Sequence, residues 1–396
     1  MEHDARALVG LLRDHLASHD RAVSFLFGAG TSSAVNVAPP GFRSLIPAVA
    51  GLTAECKVEV ENLGALQADA WVKMCGECTA LRLDPNIESL LGRIRSKLEA
   101  LAPSDSINGL TYDQWTVMDS AIRKRIAQLA APARAAMPKV LPHHDFTKWV
   151  RNTTRRQPVE IFTTNYDVLF ETAFDELRVP HFDGFVGSQY PYFSPESVES
   201  DDLLPSAAWI RFWKVHGSVS WIVETVGTEQ RITRGRANDT GEMILPSHRK
   251  YDESRKQPYR SLLDRLGRVL AREDSLLIAC GFSFGDQHIN AIVLDALEQR
   301  PRTHLVILSF IDVDPAMQIV KWAIERTNVM VVGPNGGVIA GRFGTWTVTG
   351  VPDAQLTLAT GGLVVADPTK PSGIRLCVGD FNAFCAFLAS MSAGVP

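Results

Sequence analysis

The feature that most constrains the fold is a series of short apolar segments, several of which run directly into a glycine-rich or polar motif. The sequence predicts six strands, at residues 22–27, 159–162, 209–215, 276–279, 304–310 and 329–332. Helical spacing of apolar residues lies between several of them, at residues 166–177, 259–272, 287–298 and 316–325. Buried strands that alternate with helices are typical of a parallel α/β sheet.

The spacing of the strands divides the chain into three parts. A long interval between the first two strands carries amphipathic helical patterns, such as residues 86–101, and no convincing strand. After the last strand, glycines punctuate short Thr- and Val-rich runs, and a closing helix is predicted at residues 380–390. We therefore expect a Rossmann-like parallel sheet with an inserted helical subdomain and a small C-terminal β-rich appendage. The predicted domains are residues 1–50 together with 149–332, residues 51–148, and residues 333–396.

Composition excludes several classes of protein. The chain has 396 residues, with 40 Lys and Arg against 44 Asp and Glu, and 45% of its residues are hydrophobic. This balance argues against global disorder and against bulk binding of nucleic acid. No apolar run approaches the roughly 18 residues of a membrane helix, and the charged N-terminus is unlike a signal peptide. Because the six cysteines show no disulfide framework, we expect a cytoplasmic protein. We also expect that it binds neither membranes nor specific nucleic-acid sequences.

Four motifs stand at the carboxyl ends of predicted strands. They are GAGTS at residues 28–32, TTNYD at 163–167, KVHGS at 214–218 and GFSFGD at 281–286. In open parallel sheets, ligands bind in the crevice outside these strand ends. The sequence therefore directs all four motifs at one crevice.

Each motif alone also has an ordinary structural explanation. A glycine-rich turn can serve tight packing, and GAGTS lacks the Gly-Lys-Ser/Thr of a P-loop. Asn165 and Asp167 are residue types that cap turns, and a lone histidine such as His216 is more often structural than catalytic. The last motif is also explained by a well-capped helix. Their joint placement favours a ligand site.

Taken together, the motifs resemble those of the sirtuin-like superfamily in order and position. GAGTS, TTNYD, KVHGSVSW and CGFSFGDQHIN are more similar to its bacterial, defence-associated, NAD-hydrolysing branch than to the protein deacetylases, and NIESLLGRI also resembles that branch. The resemblance covers roughly residues 20–310. Deacetylases carry a zinc ribbon of two Cys-x-x-Cys pairs after the His-Gly motif. Here no cysteine lies between His216 and Cys280, and the single pair of Cys75 and Cys78 is upstream, so we expect no zinc.

The resemblance implies an NAD glycohydrolase (NADase) that cleaves NAD, as its substrate, into ADP-ribose and nicotinamide. It implies that Asn165 holds a ribose hydroxyl and orients water, and that His216 is the general base or holds the ribose hydroxyl. Both residues are expected at exposed strand ends. The implied roles in binding are the pyrophosphate for the GAGTS turn, the nicotinamide amide for Asp167 and the adenosine side for Gly281 and Ser283. The implied binding residues are Gly28, Ala29, Gly30, Thr31, Ser32, Phe42, Arg43, Thr164, Asp167, Gly281, Ser283 and Phe284.

One segment departs from the family in its spacing. Phe42 and Arg43 resemble the family's flexible Phe-Arg segment but stand two residues further on.

The resemblance also implies a biological role. It implies a homo-oligomer that depletes NAD in antiphage defence under the control of a separately encoded partner, such as a HerA-type ATPase or an Argonaute-like protein. Two alternatives stay open: a subunit that senses NAD or ADP-ribose, and an NAD-dependent deacylase or ADP-ribosyltransferase, which the missing ribbon disfavours.

Overall fold

The six predicted strands form the centre of one large sheet in the computed structural model. The structure describes residues 1–102, 104–227, 229–237, 257–348, 362–369 and 373–392. The strands are β1 Glu2–Asp4, β2 Val23–Phe27, β3 Ser106–Ile107, β4 Leu110–Thr111, β5 Glu160–Thr163, β6 His181–Phe182, β7 Phe185–Val186, β8 Tyr192–Phe193, β9 Ile210–Lys214, β10 Trp221–Val226, β11 Glu229–Arg234, β12 Leu276–Cys280, β13 His304–Leu308, β14 Val329–Val332, β15 Gly336–Ile339, β16 Arg342–Thr347, β17 Val364–Ala366 and β18 Ile374–Leu376.

Helices alternate with these strands along much of the chain. They are α1 Ala5–Ala17, α2 Ala29–Ser33, α3 Val49–Leu63, α4 Ala65–Ala80, α5 Ile87–Ala100, α6 Tyr112–Ala130, α7 Pro142–Asn152, α8 Leu169–Glu176, α9 Pro195–Glu199, α10 Tyr259–Leu270, α11 Gln287–Gln299, α12 Gln318–Glu325 and α13 Phe381–Ser392. No helix within the described ranges is both long and apolar enough to cross a membrane.

The order of the strands brings the four motifs together. The main sheet has the order β1-β16-β15-β14-β13-β12-β2-β5-β9-β6. From β14 to β6 every neighbouring pair is parallel. The four strands that precede the motifs, β12, β2, β5 and β9, are therefore adjacent, and their carboxyl ends lie side by side. The expected Rossmann-like α/β fold is confirmed.

Helices cover both faces of this sheet. Along β2, Phe25 and Phe27 pack into one core, which includes residues of α1, α7 and α13. Leu26 packs into the opposite core, with residues of α10 and α11. Ser24, the one polar residue of β2, is buried and donates its hydroxyl to the Leu276 carbonyl oxygen at 3.2 Å. Because side chains alternate between the faces of a strand, burial on both faces favours a mostly apolar run. This explains why the sequence of β2 lacks the polar alternation of a half-exposed strand.

The interval between β2 and β5 folds into a helical unit with its own core. Helices α3 to α6 contribute to it, with Trp71, Leu90 and Trp115 among its buried residues. Helix α7 begins within the predicted insertion and crosses its boundary at residue 148, and its residues Phe146 and Trp149 both pack in the core of the main sheet. The helices that surround the insertion's own core therefore end with α6.

The C-terminal strands extend the main sheet. β15 pairs antiparallel with β14 and β16 pairs antiparallel with β15, while β1 adds a parallel edge strand beyond β16. Helix α13 packs on α7. These elements were expected in a separate appendage, but their pairing makes them part of the main sheet and its core. Residues 349–361, 370–372 and 393–396 of the predicted appendage lie outside the described residues.

A fully buried histidine makes the stability of this core depend on pH. The His143 ring lies 4.5 Å from that of Phe170 and 5.1 Å from that of Phe381, measured between ring centroids. Neither of its nitrogens has a hydrogen-bond partner among the described residues. Burial lowers the pKa of His143 to about 3, with a smaller contribution from His144. His143 is therefore neutral in the folded protein at neutral pH.

We expect this histidine to destabilise the protein as the pH falls. Since the pKa of His143 is lower in the folded than in the unfolded chain, stability is complete above about pH 6.5 and declines below it. The loss from this group reaches about 2 kcal/mol at pH 5. His143→Phe should remove that part of the pH dependence. Urea unfolding of both proteins at pH 7.5 and pH 5 measures the difference, and equal pH dependence in the two would contradict the prediction.

Candidate active site

All four motifs border one cavity at the carboxyl edge of the sheet. The cavity has a volume of about 400 Å³. The strand-end motifs contribute Ala29, Gly30, Ser32, Thr164, Asn165, Tyr166, Asp167, His216, Gly281, Phe282, Ser283, Gly285 and Asp286. The opposite lining comes from the segment before α3 and from the helical insertion, with Ile46, Pro47, Ala48, Val49, Ala50, Leu52, Glu88, Ile126 and Ala130. The insertion therefore completes the site.

The two glycine turns pack directly on each other. The amide of Gly30 donates to the carbonyl oxygen of Gly281 at 2.9 Å. A Cβ on Gly28 would lie 2.6 Å from the Gly281 oxygen, and one on Gly30 would lie 2.6 Å from the Gly281 Cα. Gly281 itself has a φ of +67°, a conformation that side chains disfavour. These three glycines are thus required by the close contact between the turns.

This packing also limits how the first turn can bind a phosphate. The amides of Gly28 and Thr31 donate to the carbonyl oxygens of Cys280 and Gly28, at 3.3 and 2.9 Å. Together with Gly30, three amides of the turn are therefore already used within the protein. If the turn binds a pyrophosphate, as the resemblance implies, its other backbone amides must donate the hydrogen bonds.

Asn165 joins the first motif to the second. Its Nδ2 donates to Thr31 Oγ1 at 2.9 Å and to Ser32 Oγ at 2.8 Å. Ser32 Oγ in turn donates to Asp167 Oδ2 at 2.5 Å, and Asp167 Oδ1 accepts from the Leu169 amide at 3.0 Å. These bonds use both Nδ2 hydrogens of Asn165 and neither lone pair of its Oδ1. The amide is therefore fixed in orientation at the cavity wall.

His216 forms a pair with a carboxylate that the sequence analysis did not select. Its Nε2 lies 3.0 Å from Asp286 Oδ2. Asp286 Oδ1 caps α11 by accepting from the amides of His288 and Ile289, at 2.9 and 3.2 Å. A carboxylate only accepts hydrogen bonds, so in the neutral ring this contact favours the tautomer with the proton on Nε2 and the lone pair on Nδ1. The helix cap thus orients the histidine.

A buried ion pair supports the TTNYD turn from within the protein. Lys214 Nζ contacts Glu171 Oε1 at 2.8 Å and also donates to the carbonyl oxygens of Tyr166 and Asp167. The Lys214 side chain is only 2% exposed. Burial raises the pKa of Glu171, and the Lys214 charge opposes this effect. The lysine of the KVHGS motif therefore holds the turn that presents Asn165.

A second cavity, of about 550 Å³, lies on the other side of the first glycine turn. Gly30, Ala48 and Gly281 line both cavities. Phe42, one of the predicted binding residues, lines the second cavity together with Phe310 and residues 379–382. The sequence did not indicate this contribution, because more than 330 positions separate Phe42 from residue 379.

Not every predicted binding residue lines a cavity. Gly28 and Thr31 are buried residues of the first turn and line neither cavity. Arg43 is exposed and also borders neither cavity. Phe284 is also outside both, with its ring packed against those of Phe282 and Trp322. Ser283 borders the same cavity as Asn165 and His216.

The described residues include no group of three or more His, Cys, Asp or Glu side chains placed to hold a metal ion. Cys75 and Cys78 lie in α4, and burial raises the pKa of both thiols. A raised thiol pKa disfavours the thiolate form that binds zinc.

Comparison with known proteins gives one family match. Residues 159–330 match the family model of the SIR2-like domain, a segment that runs from β5 to β14 and contains Asn165, His216 and Asp286. No curated protein shows significant similarity to the chain. SIR2-like domains use NAD, and proteins that contain them are usually NAD-dependent enzymes. The match covers less than half of the chain, and it agrees with the resemblance of the motifs to the sirtuin-like superfamily and with the parallel α/β sheet and its strand-end cavity.

Proposed function

We propose that the protein is an NAD hydrolase that cleaves the bond between nicotinamide and ribose. The observation that carries the proposal is the convergence of Asn165 and the His216–Asp286 pair on one cavity, at the ends of adjacent strands. A fixed amide and an oriented base are the two groups needed to position and deprotonate a water molecule.

The two cavities suit the two halves of a dinucleotide. The strand-end motifs present polar groups on one side of the first cavity, whereas the second cavity presents the aromatic rings of Phe42 and Phe310, each 69% exposed. Exposed aromatic rings in a cavity favour contact with a flat base. Because Gly30 and Gly281 border both cavities, a diphosphate that crosses this boundary would join a nicotinamide half in the first to an adenosine half in the second.

The residues of the first cavity match the needs of the reaction. The bond from the ribose C1′ to the nicotinamide nitrogen breaks, and its electron pair leaves with neutral nicotinamide. The ribose carbon then has oxocarbenium character and accepts water. His216 Nδ1 takes a proton from that water, while Asp286 stabilises the charged imidazole. Asn165 holds the ribose or the water in place. The products are nicotinamide, ADP-ribose and one proton.

The purified 396-residue chain should convert NAD into nicotinamide and ADP-ribose in equal amounts. Chromatography of the products at intervals measures both. A parallel reaction with an acetylated peptide tests the deacylase alternative, which predicts deacetylated peptide and an acetylated ADP-ribose. Tight NAD binding without turnover, with every oligomer and partner tested, would instead favour the sensor alternative.

We further propose that the chain depletes NAD in antiphage defence as a homo-oligomer controlled by a separately encoded partner, such as a HerA-type ATPase. This proposal rests on the resemblance of the motifs to the defence-associated branch and on the toxicity of uncontrolled NAD loss. Light scattering combined with turnover assays, with and without proteins encoded beside this chain, tests it. A monomer that hydrolyses NAD at full rate by itself would contradict it.

A further inference from the structure

Glu88 is a carboxylate in the cavity that the proposed reaction does not use. It lies in the first turn of α5, within the NIESLLGRI segment, and it lines the same cavity as Asn165 and His216. The Asn86 side chain accepts from the amides of Glu88 and Ser89, at 3.0 and 3.1 Å, and so fixes this turn. Glu88 is therefore held at the cavity by a well-capped helix of the insertion.

The charges around the cavity single out this carboxylate. Among the described residues that line the cavity there are three carboxylates and one histidine, but no Lys or Arg. Asp167 is bonded to Ser32, and Asp286 to His216 and helix amides. The Glu88 carboxylate makes no hydrogen bond or ion pair within the described part of the chain. It thus contributes an uncompensated negative charge.

The residues around Glu88 in the cavity determine which kind of ligand its negative charge would attract. The insertion side of the cavity is largely apolar, with Ile46, Val49 and Ile126 among its residues. A negative charge beside apolar surface favours a flat organic cation and repels a phosphate. The nicotinamide ring of NAD⁺ is such a cation, since its ring nitrogen carries a formal positive charge. The ring of NADH is uncharged.

We propose that Glu88 is a specificity-determining residue that selects the cationic nicotinamide ring of NAD⁺ over the neutral ring of NADH. The same charge orients the substrate, because it keeps the diphosphate out of this cavity. The proposal rests on the proposed function, since it requires the nicotinamide half to occupy this cavity. It assigns a role in substrate recognition to the helical insertion.

Calorimetric titration with NAD⁺ and with NADH tests the proposal on the full chain. Glu88→Gln keeps the shape of the side chain and removes its charge. It should raise the dissociation constant for NAD⁺ about tenfold and change that for NADH less than about twofold. Asp113→Asn is the matched control, because Asp113 is an exposed acid in the first turn of another insertion helix and lies outside the cavity. This variant should bind both dinucleotides like the wild type.

The other outcomes overturn the assignment in distinct ways. If Glu88→Gln weakened the binding of NAD⁺ and NADH equally, Glu88 would have only a structural role. If it left NAD⁺ binding unchanged, Glu88 would have no role in recognising the substrate. A wild-type chain that binds neither dinucleotide would overturn this proposal and the proposed function together. Selective binding of NAD⁺ that depends on Glu88, but without turnover in the presence of every oligomer and partner tested, would support Glu88 as the selective residue and refute the hydrolase.

Discussion

His216→Ala and Asn165→Ala should each lower the rate of NAD hydrolysis by about a thousandfold. His216 is the only histidine among the described residues that line the cavity, so its substitution removes the proposed base. Substitution of Asn165 removes the amide proposed to position the water or the ribose, and it also breaks the hydrogen bonds to Thr31 and Ser32. Initial rates of nicotinamide release at saturating NAD measure both effects.

These substitutions also have a structural effect, because the two residues are buried. Asn165 is 8% and His216 is 7% exposed, whereas the sequence suggested exposed strand ends. Removal of His216 leaves the Asp286 carboxylate without its imidazole partner, at a loss of about 1–3 kcal/mol in folding free energy. The activity of these variants must therefore be compared with that of a variant that loses similar folding stability at a site away from the cavity.

His144→Ala provides that control. His144 is a buried histidine that also contacts a carboxylate, with its Nε2 2.8 Å from Glu176 Oε2, and it lies outside both cavities. It should lose a comparable amount of thermal stability and retain turnover within about twofold. If His216→Ala kept more than about a tenth of the wild-type rate while it melted normally, His216 would not be the base.

The main sheet and the meeting of the motifs could be predicted because both depend on local pattern. The strand that ends at Phe27 is buried on both faces, so its apolar run is visible in the sequence without further information. Parallel pairing then places the ends of such strands at one edge. The same reasoning predicts that Asn165 and His216 lie at this edge, since each closely follows a strand, and both line the cavity there.

Residues that reach the cavity from other parts of the fold could not be predicted in this way. Asp286 has the sequence signature of a helix cap, and only the tertiary structure shows that its second oxygen contacts His216. Glu88 reaches the cavity because the insertion packs over it, which no local pattern encodes. In the same way, the second cavity depends on the return of α13 to the first glycine turn, where Asn382 Nδ2 donates to the carbonyl oxygen of Ala34 at 3.0 Å.

The opposite end of the strand that leads to Asn165 carries a buried charge network. The first residue of β5, Glu160, is 1% exposed. Its carboxylate accepts from Arg265 at 2.6 and 2.9 Å, from Arg272 at 2.9 Å, from Arg211 at 3.1 Å and from Trp213 Nε1 at 2.8 Å. Burial by itself raises the pKa of Glu160, but the hydrogen bonds and charges of these arginines outweigh it and lower the pKa. The carboxylate is therefore ionised in the folded protein and neutralises part of three guanidinium charges.

Glu160→Gln should lower the free energy of unfolding by about 3–5 kcal/mol at pH 7. The variant keeps the shape of the side chain but leaves three arginines around an uncharged amide, of which Arg265 is 1% exposed. Glu273→Gln is the control, because it removes an exposed ion pair with Arg302 and should change stability by less than about 0.5 kcal/mol. Urea unfolding at pH 7 measures both variants, and equal stability of Glu160→Gln and the wild type would refute the prediction.

The pH dependence of this difference tests its electrostatic origin. Because the pKa of Glu160 is lower in the folded chain than its usual value, its contribution is complete above about pH 4.5 and is lost as the pH falls through the folded value. The difference in free energy of unfolding between wild type and Glu160→Gln should therefore stay constant from pH 8 to pH 5 and become smaller at lower pH. Since Glu160 lies at the amino end of β5 and Asn165 follows its carboxyl end, the folded variant should still hydrolyse NAD at a near-normal rate. A gap that persists in acid would instead indicate that the amide packs badly, independently of charge.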